Sequence, residues 1–237
     1  MIHQHIYASP KPGMTEAEFQ RYWLEEHAVR YASRIPQIRK YKLDMRLDWA
    51  GETGSPIWSG VAEIWLANEA EQLASLQTPE FLQGARLDEP KWAAFWNTLV
   101  LDCDSQVISD QMGETAPAGG VKLMVLHKRA QGLGVAAYRE AHANGHAPRA
   151  AKVSGVLRHE LCFTRDSWYA VGEPRFDSVA HYWFANQAAA DAVARDAGSK
   201  GLLIPSDHHS IFEPRYVFHM LTREHWIIGP AARAYAA

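Results

Sequence analysis

Cysteine is almost missing from this chain: Cys103 and Cys162 are the only two in 237 residues. Two thiols supply no disulfide framework, which fits a reducing compartment. Positive charge is not in excess either. A formal net charge of −3, with no Lys/Arg cluster, excludes the electrostatic footprint of a nucleic-acid binder. No apolar run approaches the roughly 18 residues of a membrane span. The opening residues Met1 to His5 lack the basic stretch and long apolar run of a signal peptide. The expectation is a soluble, cytoplasmic protein with neither nucleic acid nor membrane as partner. Gly-x-Ser-x-Gly, Walker and Gly-x-Gly-x-x-Gly patterns are also missing, so those nucleophile, phosphate and dinucleotide sites have no signature here. Apolar residues, by contrast, make up 47% of the chain and tryptophan occurs nine times, enough for a sizeable core.

The chain is self-similar. At an offset of 119, Gly13, Ala17, His27, Ala28, Arg30, Ala32 and Arg39 fall on Gly132, Ala136, His146, Ala147, Arg149, Ala151 and Arg158, and Phe19 meets Tyr138. At an offset of 118, Val61, Ala62, Trp65, Ala67 and Asn68 fall on Val179, Ala180, Trp183, Ala185 and Asn186. Asp88 and Asp207 align at 119 again. The one-residue change is expected in a loop between the two blocks. Ser109 to Gly120 is polar and Gly/Pro-bearing, as a linker should be. The expected organisation is a first repeat over 1–110, a linker over 111–120 and a second repeat over 121–237.

Each repeat carries the same order of elements. Ile2 to Tyr7 is β-prone, and a Lys-Pro-Gly turn leads to a helix with Thr15 as N-cap and Glu18 in the capping-box position. Phe19, Trp23 and His27 share one face of that helix. Tyr41, Leu43, Met45, Leu47 and Trp49 alternate with polar residues, which predicts a strand. Val61 to Leu66 is a further strand, Asn68 opens a second helix, and Leu99 to Ile108 is a last strand with room for a bulge. The order β-α-β-β-α-β is ferredoxin-like. Such a sheet carries helices on one face only, and a second copy can cover the other. The fold class is therefore α+β: two ferredoxin-like repeats forming one intramolecular α/β-barrel, with an apolar pocket between the sheets.

Lys11, Pro12, Gly13, Thr15, Phe19, Tyr22, Trp23 and His27, followed by Ile35, Pro36, Ile38 and Tyr41, resemble the opening of EthD-type domains. Gly60 to Trp65 and Asp88 resemble that family's third strand and pre-terminal acidic residue. The family belongs to the dimeric α/β-barrel group, whose members include cofactor-free oxygenases, cyclases, decarboxylases and dehydratases. The resemblance implies the barrel, marks His27 as a motif position and implies no metal; fold analogy alone does not choose a reaction. The second copy departs from the pattern. Ala141 and His142 replace Tyr22 and Trp23, and Ala130-Gln131-Gly132 replaces Lys-Pro-Gly.

Candidate site residues follow from residue type and strand alternation. His27 and His146 serve either as acid/base groups or as hydrogen-bonding pegs at the end of the first helix of each repeat. In Ile2 to Tyr7, alternation sets His3, His5 and Tyr7 on one face and Ile2 and Ile6 on the other. The aliphatic face should meet the helices. By the same rule Glu63 and Trp65 face the cavity, with His181 and Trp183 at the matching positions, so Glu63 and His181 form either an acid/base set or a buried ion pair. Tyr22, Trp23, Trp65 and Trp183 are candidate aromatic contacts. Asp88 is read first as the N-cap of a short turn at Glu89-Pro90, with a substrate contact as the alternative. His208 is a further polar candidate. His3-x-His5 and His208-His209 complete no recognisable ligand pattern, so no metal and no cofactor is expected.

The function expected from these residues is a cofactor-independent lyase of aromatic-compound catabolism. It would decarboxylate or dehydrate a bulky aromatic or phenolic acid by proton transfer at His27, His181, Glu63 and His146. The remaining candidates bind substrate. The alternatives are a cofactor-free monooxygenase of a similar substrate and a non-catalytic binder of a hydrophobic metabolite. Because the repeats differ in most polar positions, one composite site is expected rather than two equal ones, and any homodimer would form through outer faces.

Overall fold

The computed structural model describes residues 1–52, 54–206 and 210–234. The first repeat runs β1 (Ile2–Ala8), helix Glu16–Tyr22, β2 (Lys40–Arg46), β3 (Gly60–Leu66), helix Glu69–Ser75 and β4 (Leu99–Asp110). The second runs β5 (Val121–Arg129), helix Val135–Glu140, β6 (Arg158–Thr164), β7 (Ser178–Phe184), helices Gln187–Arg195 and Ala197–Leu203, and β8 (Phe212–Ile228). A short helix at Asp166–Val171 is added between β6 and β7. The eight strands close a barrel in the order β1-β3-β2-β8-β5-β7-β6-β4. The expected fold class is the observed one.

The chain divides into two compact units. The first is Met1–Arg46, Ser55–Asp102 and Glu224–Ala237; the second is Leu47–Gly54 and Cys103–Arg223. β4 and β8 therefore give residues to both.

Local chemistry explains the elements of the first unit. Gly13 takes φ +85°, a left-handed turn that a side chain would strain, and Gly132 repeats it at +84°. Thr15 then caps the helix: its hydroxyl accepts from the Glu18 amide at 3.2 Å, while the Glu18 carboxylate accepts from the Thr15 amide at 2.9 Å. At Trp23 the helix widens into a π-helical turn that ends at His27, and the second repeat does the same from Ala141 to His146. Ile2, Ala62, Ile64 and Leu66 pack with Phe19, Trp23 and Ala28 in one core cluster, and Ile6 packs against it. The aliphatic face of β1 and β3 thus meets the helices, as alternation requires. The second unit builds its core likewise from Leu161, Ala180, Tyr182 and Phe184 with Ala147, Ala150, Ala190 and Val193.

Strand register relocates the one-residue offset. Lys40 opposes Trp65 in the first repeat, and Arg158 opposes Trp183 in the second. Position 40 therefore corresponds to 158, so the missing residue lies before β2 and not between the sequence blocks. The Arg39–Arg158 identity is one residue out of structural register. The strand expected to continue through Leu47 and Trp49 ends at Arg46. β4 carries its bulge between Val107 and Ser109.

Candidate functional site

In each unit, the sheet face turned away from the helices carries a group of ionisable residues. In the first unit Glu63 is its centre and is fully buried. β1 and β3 set His5 opposite Glu63 and His3 opposite Trp65, while β2 sets Lys42 opposite Glu63 from the other side. His3 Nε2 lies 2.6 Å from Glu63 Oε2, and His5 Nε2 lies 3.7 Å from the same oxygen. Lys42 Nζ lies 3.4 Å from Glu63 Oε1 and also pairs with Glu224. Asp44 joins this group, with carboxylate oxygens of Asp44, Glu63 and Glu224 within 4.8 Å of one another. A carboxylate this short from an imidazole makes a charge-assisted bond that fixes the ring and holds a proton between the two groups.

Aromatic rings frame the cluster. His3 stacks on Trp65 at 4.2 Å between ring centres, and Trp65 faces Trp226 at 5.9 Å. The Lys42 ammonium sits 5.5 Å from the first indole and 5.2 Å from the second, within cation–π range. Tyr7 is buried, stacked with His5 and packed on Trp58. His3, His5, Tyr7, Glu63 and Trp65 are therefore brought together. The apolar lining expected for this face is replaced by charge. Lys42, Asp44, Glu224 and Trp226 were missed, although the alternation of β2 carried a usable signal: with Tyr41, Leu43 and Met45 toward the helices, Lys42 and Asp44 must face the other way.

His27 lies elsewhere. Its ring packs on Trp92 at 4.7 Å, inside the helix layer with Phe19 and Trp23. The sheet stands between it and Glu63, so the expected shared action of His27 and Glu63 on one substrate does not fit. Nδ1 of His27 is 2.9 Å from Asp88 Oδ2, closer than the Trp92 indole nitrogen at 3.2 Å. The charge-assisted contact decides the tautomer: Nδ1 donates to the carboxylate. Asp88 also accepts from Tyr22 at 2.9 Å and Lys91 at 3.0 Å; it stands at the N-cap position of the short turn Glu89–Lys91, as read from the sequence, but its carboxylate serves these partners and makes no cap bond. Burial pushes the His27 pKa down, opposed by Asp88. Burial alone would raise Asp88, but the bonds from His27, Lys91 and Tyr22 outweigh it and hold the carboxyl below its ordinary range. Burial and Asp88 push Tyr22 up to about 12. Trp23 is core, and Tyr22 lines an open outer cleft with Lys11, Met14 and Arg21. Neither reaches the Glu63 face.

The second unit answers each feature differently. His146 Nε2 donates to the Leu202 carbonyl at 2.9 Å, within a buried group of His127, His142 and Phe212. Tyr138 and Ser178 hydrogen-bond at 2.7 Å beside them. On the face away from the helices, His181 stands opposite Glu160 and beside Trp183, which also has Lys122 and Arg158 over its ring. His208, like Asp207 and His209, lies outside the described residues.

Comparison with known proteins adds a domain match over part of the chain. The EthD domain model matches residues 11–95. The first repeat carries an EthD domain. No curated protein matches the chain. Among solved structures, the chain is similar to an anthrone oxidase-like protein, with a TM-score of 0.62 at 10% identity over 98% of this chain and 95% of that one. It is similar also to a candidate monooxygenase of Fusobacterium nucleatum subsp. nucleatum, with a TM-score of 0.59 at 10% identity over 100% and 97%. A candidate monooxygenase of Lactobacillus acidophilus NCFM gives 0.51 at 13% identity over 98% of each chain. At these identities the likeness is one of fold. Among the described residues no helix is long and apolar enough to cross a membrane.

Proposed function

We propose that this EthD-domain protein is an enzyme that moves protons on a small aromatic or phenolic substrate, with His3 and Glu63 as the acid/base pair. The observation that supports this reading is the 2.6 Å contact between a buried imidazole and a buried carboxylate. The carboxylate orients the ring and offsets the charge it gains on taking a proton, the service a positioned general base requires. Trp65 and Trp226, with His3 stacked on the first, make the surroundings of the pair aromatic, which suits an aromatic substrate. A carrier of hydrophobic metabolites needs no such convergence of ionisable groups, and the charged face argues against that role.

Oxygenation is the finer reading. The named neighbours, two candidate monooxygenases and an anthrone oxidase-like protein, favour it over the lyase expected from sequence. An activated methylene loses a proton to the base, and the carbanion passes its electrons to dioxygen. Overall, the methylene and one dioxygen become a carbonyl and one water. The substrate supplies the electrons, so a flavin-type cofactor is not needed for this step. Decarboxylation or dehydration at the same pair would use the proton transfer without oxygen, with Lys42 as the cation nearest a substrate carboxylate.

The test is turnover of anthrone-type and phenolic-acid substrates with and without air, followed by oxygen uptake and mass spectrometry. Oxygen-dependent gain of one oxygen and loss of two hydrogens is expected. Equal turnover without air, releasing carbon dioxide or water, supports the lyase instead. Binding without conversion, unchanged in Glu63→Gln, supports the carrier.

A further inference from the structure

Strand pairing in the second unit gathers three side chains whose spacing in the sequence announces nothing. Glu160 stands opposite His181 across β6 and β7, and Cys162 lies two residues further along the same face of β6. One ligand atom from each, a carboxylate oxygen, a sulfur and an imidazole nitrogen, lies within 4.8 Å of the others. Arg158 holds Oε2 of Glu160 at 3.2 Å. Oε1 accepts from the Cys162 thiol, whose sulfur is 3.9 Å away. Ser105 donates its hydroxyl to that sulfur at 3.3 Å, the kind of outer contact that steadies a thiolate ligand. Cys162 and His181 are both fully buried.

We propose that Glu160, Cys162 and His181 bind a thiophilic divalent cation of the zinc type. Thiolate, imidazole and carboxylate are the donor types that such ions take together, and three protein ligands leave a fourth position for a small molecule. Bond lengths of about 2.0–2.3 Å put donors on a tetrahedral ion about 3.5 Å apart, so from separations of up to 4.8 Å the set closes by at most about 1.3 Å, within reach of side-chain rotation. Binding exchanges the Cys162 sulfhydryl proton for the metal: a sulfur–metal bond forms, and one proton is released to solvent. The thiolate and the Glu160 carboxylate then balance the charge of the ion. This site uses neither of the two residues, His3 and Glu63, assigned to proton transfer in the first unit.

Cobalt(II), added to the full chain freed of metal by chelation, reads the sulfur directly, because a cobalt–thiolate bond produces a charge-transfer band in the near ultraviolet. The expected result is one cobalt per chain with that band, about one proton released per ion, and displacement by zinc. Cys162→Ser should abolish the band, and Cys103→Ser should leave it. His181→Ala and Glu160→Gln should keep the sulfur band but weaken binding at least about tenfold. Glu160 lies at the more exposed end of the set, so its variant tests the site even where a change at Cys162 unfolds the protein. A wild-type protein without the band, a band that survives Cys162→Ser, or wild-type affinity in either the Glu160 or the His181 variant would overturn the proposal.

Discussion

At the end of a π-helical turn, the first repeat sets His27 against the Asp88 carboxylate, and the second sets His146 against the Leu202 carbonyl. The backbone device is the same and the partner is not. On the opposite face, register makes Lys42 and Glu63 the counterparts of Glu160 and His181. A cation–carboxylate pair in one repeat becomes a carboxylate–imidazole pair in the other. Identical subunits in a dimer must present the same residues twice; a fused pair is free to keep the scaffold and change the chemistry. The repeats share the turn glycine, the Asn cap of the second helix and the core pattern, while the ionisable faces differ.

The largest expected effect breaks that comparison at Glu63. Glu63→Gln keeps the shape but removes the charge that orients His3, and turnover should fall about a hundredfold or more, as for loss of a general base system. His27→Ala should leave the rate within a few-fold, because the sheet separates it from that pair. Steady-state rates at saturating substrate, measured for both variants, decide the matter. A hundredfold loss at His27 with Glu63→Gln silent would move the chemistry into the helix layer.

The next effect is one of pH. His159 is buried, stacked on Tyr182, and donates Nδ1 to the His181 carbonyl. Burial lowers its pKa to about 4, with the carbonyl bond opposing, against an ordinary 6.5. The fold therefore holds the neutral ring. Its stabilising effect is complete above pH 6.5 and is lost as pH falls toward 4, in total about 3 kcal/mol. Its counterpart in the first repeat is Tyr41, which opposes Ile64 as His159 opposes Tyr182 and carries no charge in this range. Urea unfolding from pH 7 to 4 should show a shallower decline for His159→Gln than for the wild type. Parallel curves would mean that His159 is already solvated.

How much of this was legible in the sequence depends on the distance over which the information acts. The Thr15–Glu18 capping box, the Asn68 cap and the alternation of β1 and β3 are local, and local spacing states them. The pairing of Lys42 with Glu224, or of Glu160 with His181, depends on which strands become neighbours. A one-residue slip before β2 was enough to hide the second. Asp88 shows the limit at a single residue: its neighbours Glu89 and Pro90 suggest a cap, but its partners Tyr22 and His27 come from a helix more than sixty residues earlier. The repeat itself was visible because the turn glycine, the second-helix Asn cap and core positions recur; of the site, the members on β1 and β3 were legible from alternation, while Lys42, Asp44, Glu224 and Trp226 were missed.

Removing the two motif histidines measures their structural worth. His27→Ala takes a charge-assisted bond from a buried carboxylate and opens space beside Trp92, which should cost about 2–3 kcal/mol. Asp88 would keep Tyr22 and Lys91, which limits the loss. His146→Ala leaves a neutral carbonyl bond unmade and should cost about 1–2 kcal/mol. Melting temperatures of the two variants give the order. A larger loss at His146 would mean that the imidazole group around Phe212 carries more of the fold than its hydrogen bonds suggest.

The smallest effect should be the same in both repeats, and that equality is its value. Asn68 and Asn186 cap corresponding helices with nearly the same backbone, φ −163° and ψ 177° against φ −166° and ψ 175°. Each side-chain oxygen accepts one amide hydrogen, from Glu71 at 2.9 Å and from Ala189 at 3.0 Å. Both caps are exposed, so neither bond gains from a low dielectric, and each satisfies one of the amides a helix leaves unpaired at its start. Asn68→Ala and Asn186→Ala should therefore each cost about 1 kcal/mol and differ by less than about 0.5 kcal/mol. The double variant should cost their sum, since distant independent sites add. Chemical unfolding of the three variants at one pH gives the values. A clear inequality would show that the duplicated scaffold has diverged in energy even where its geometry has not.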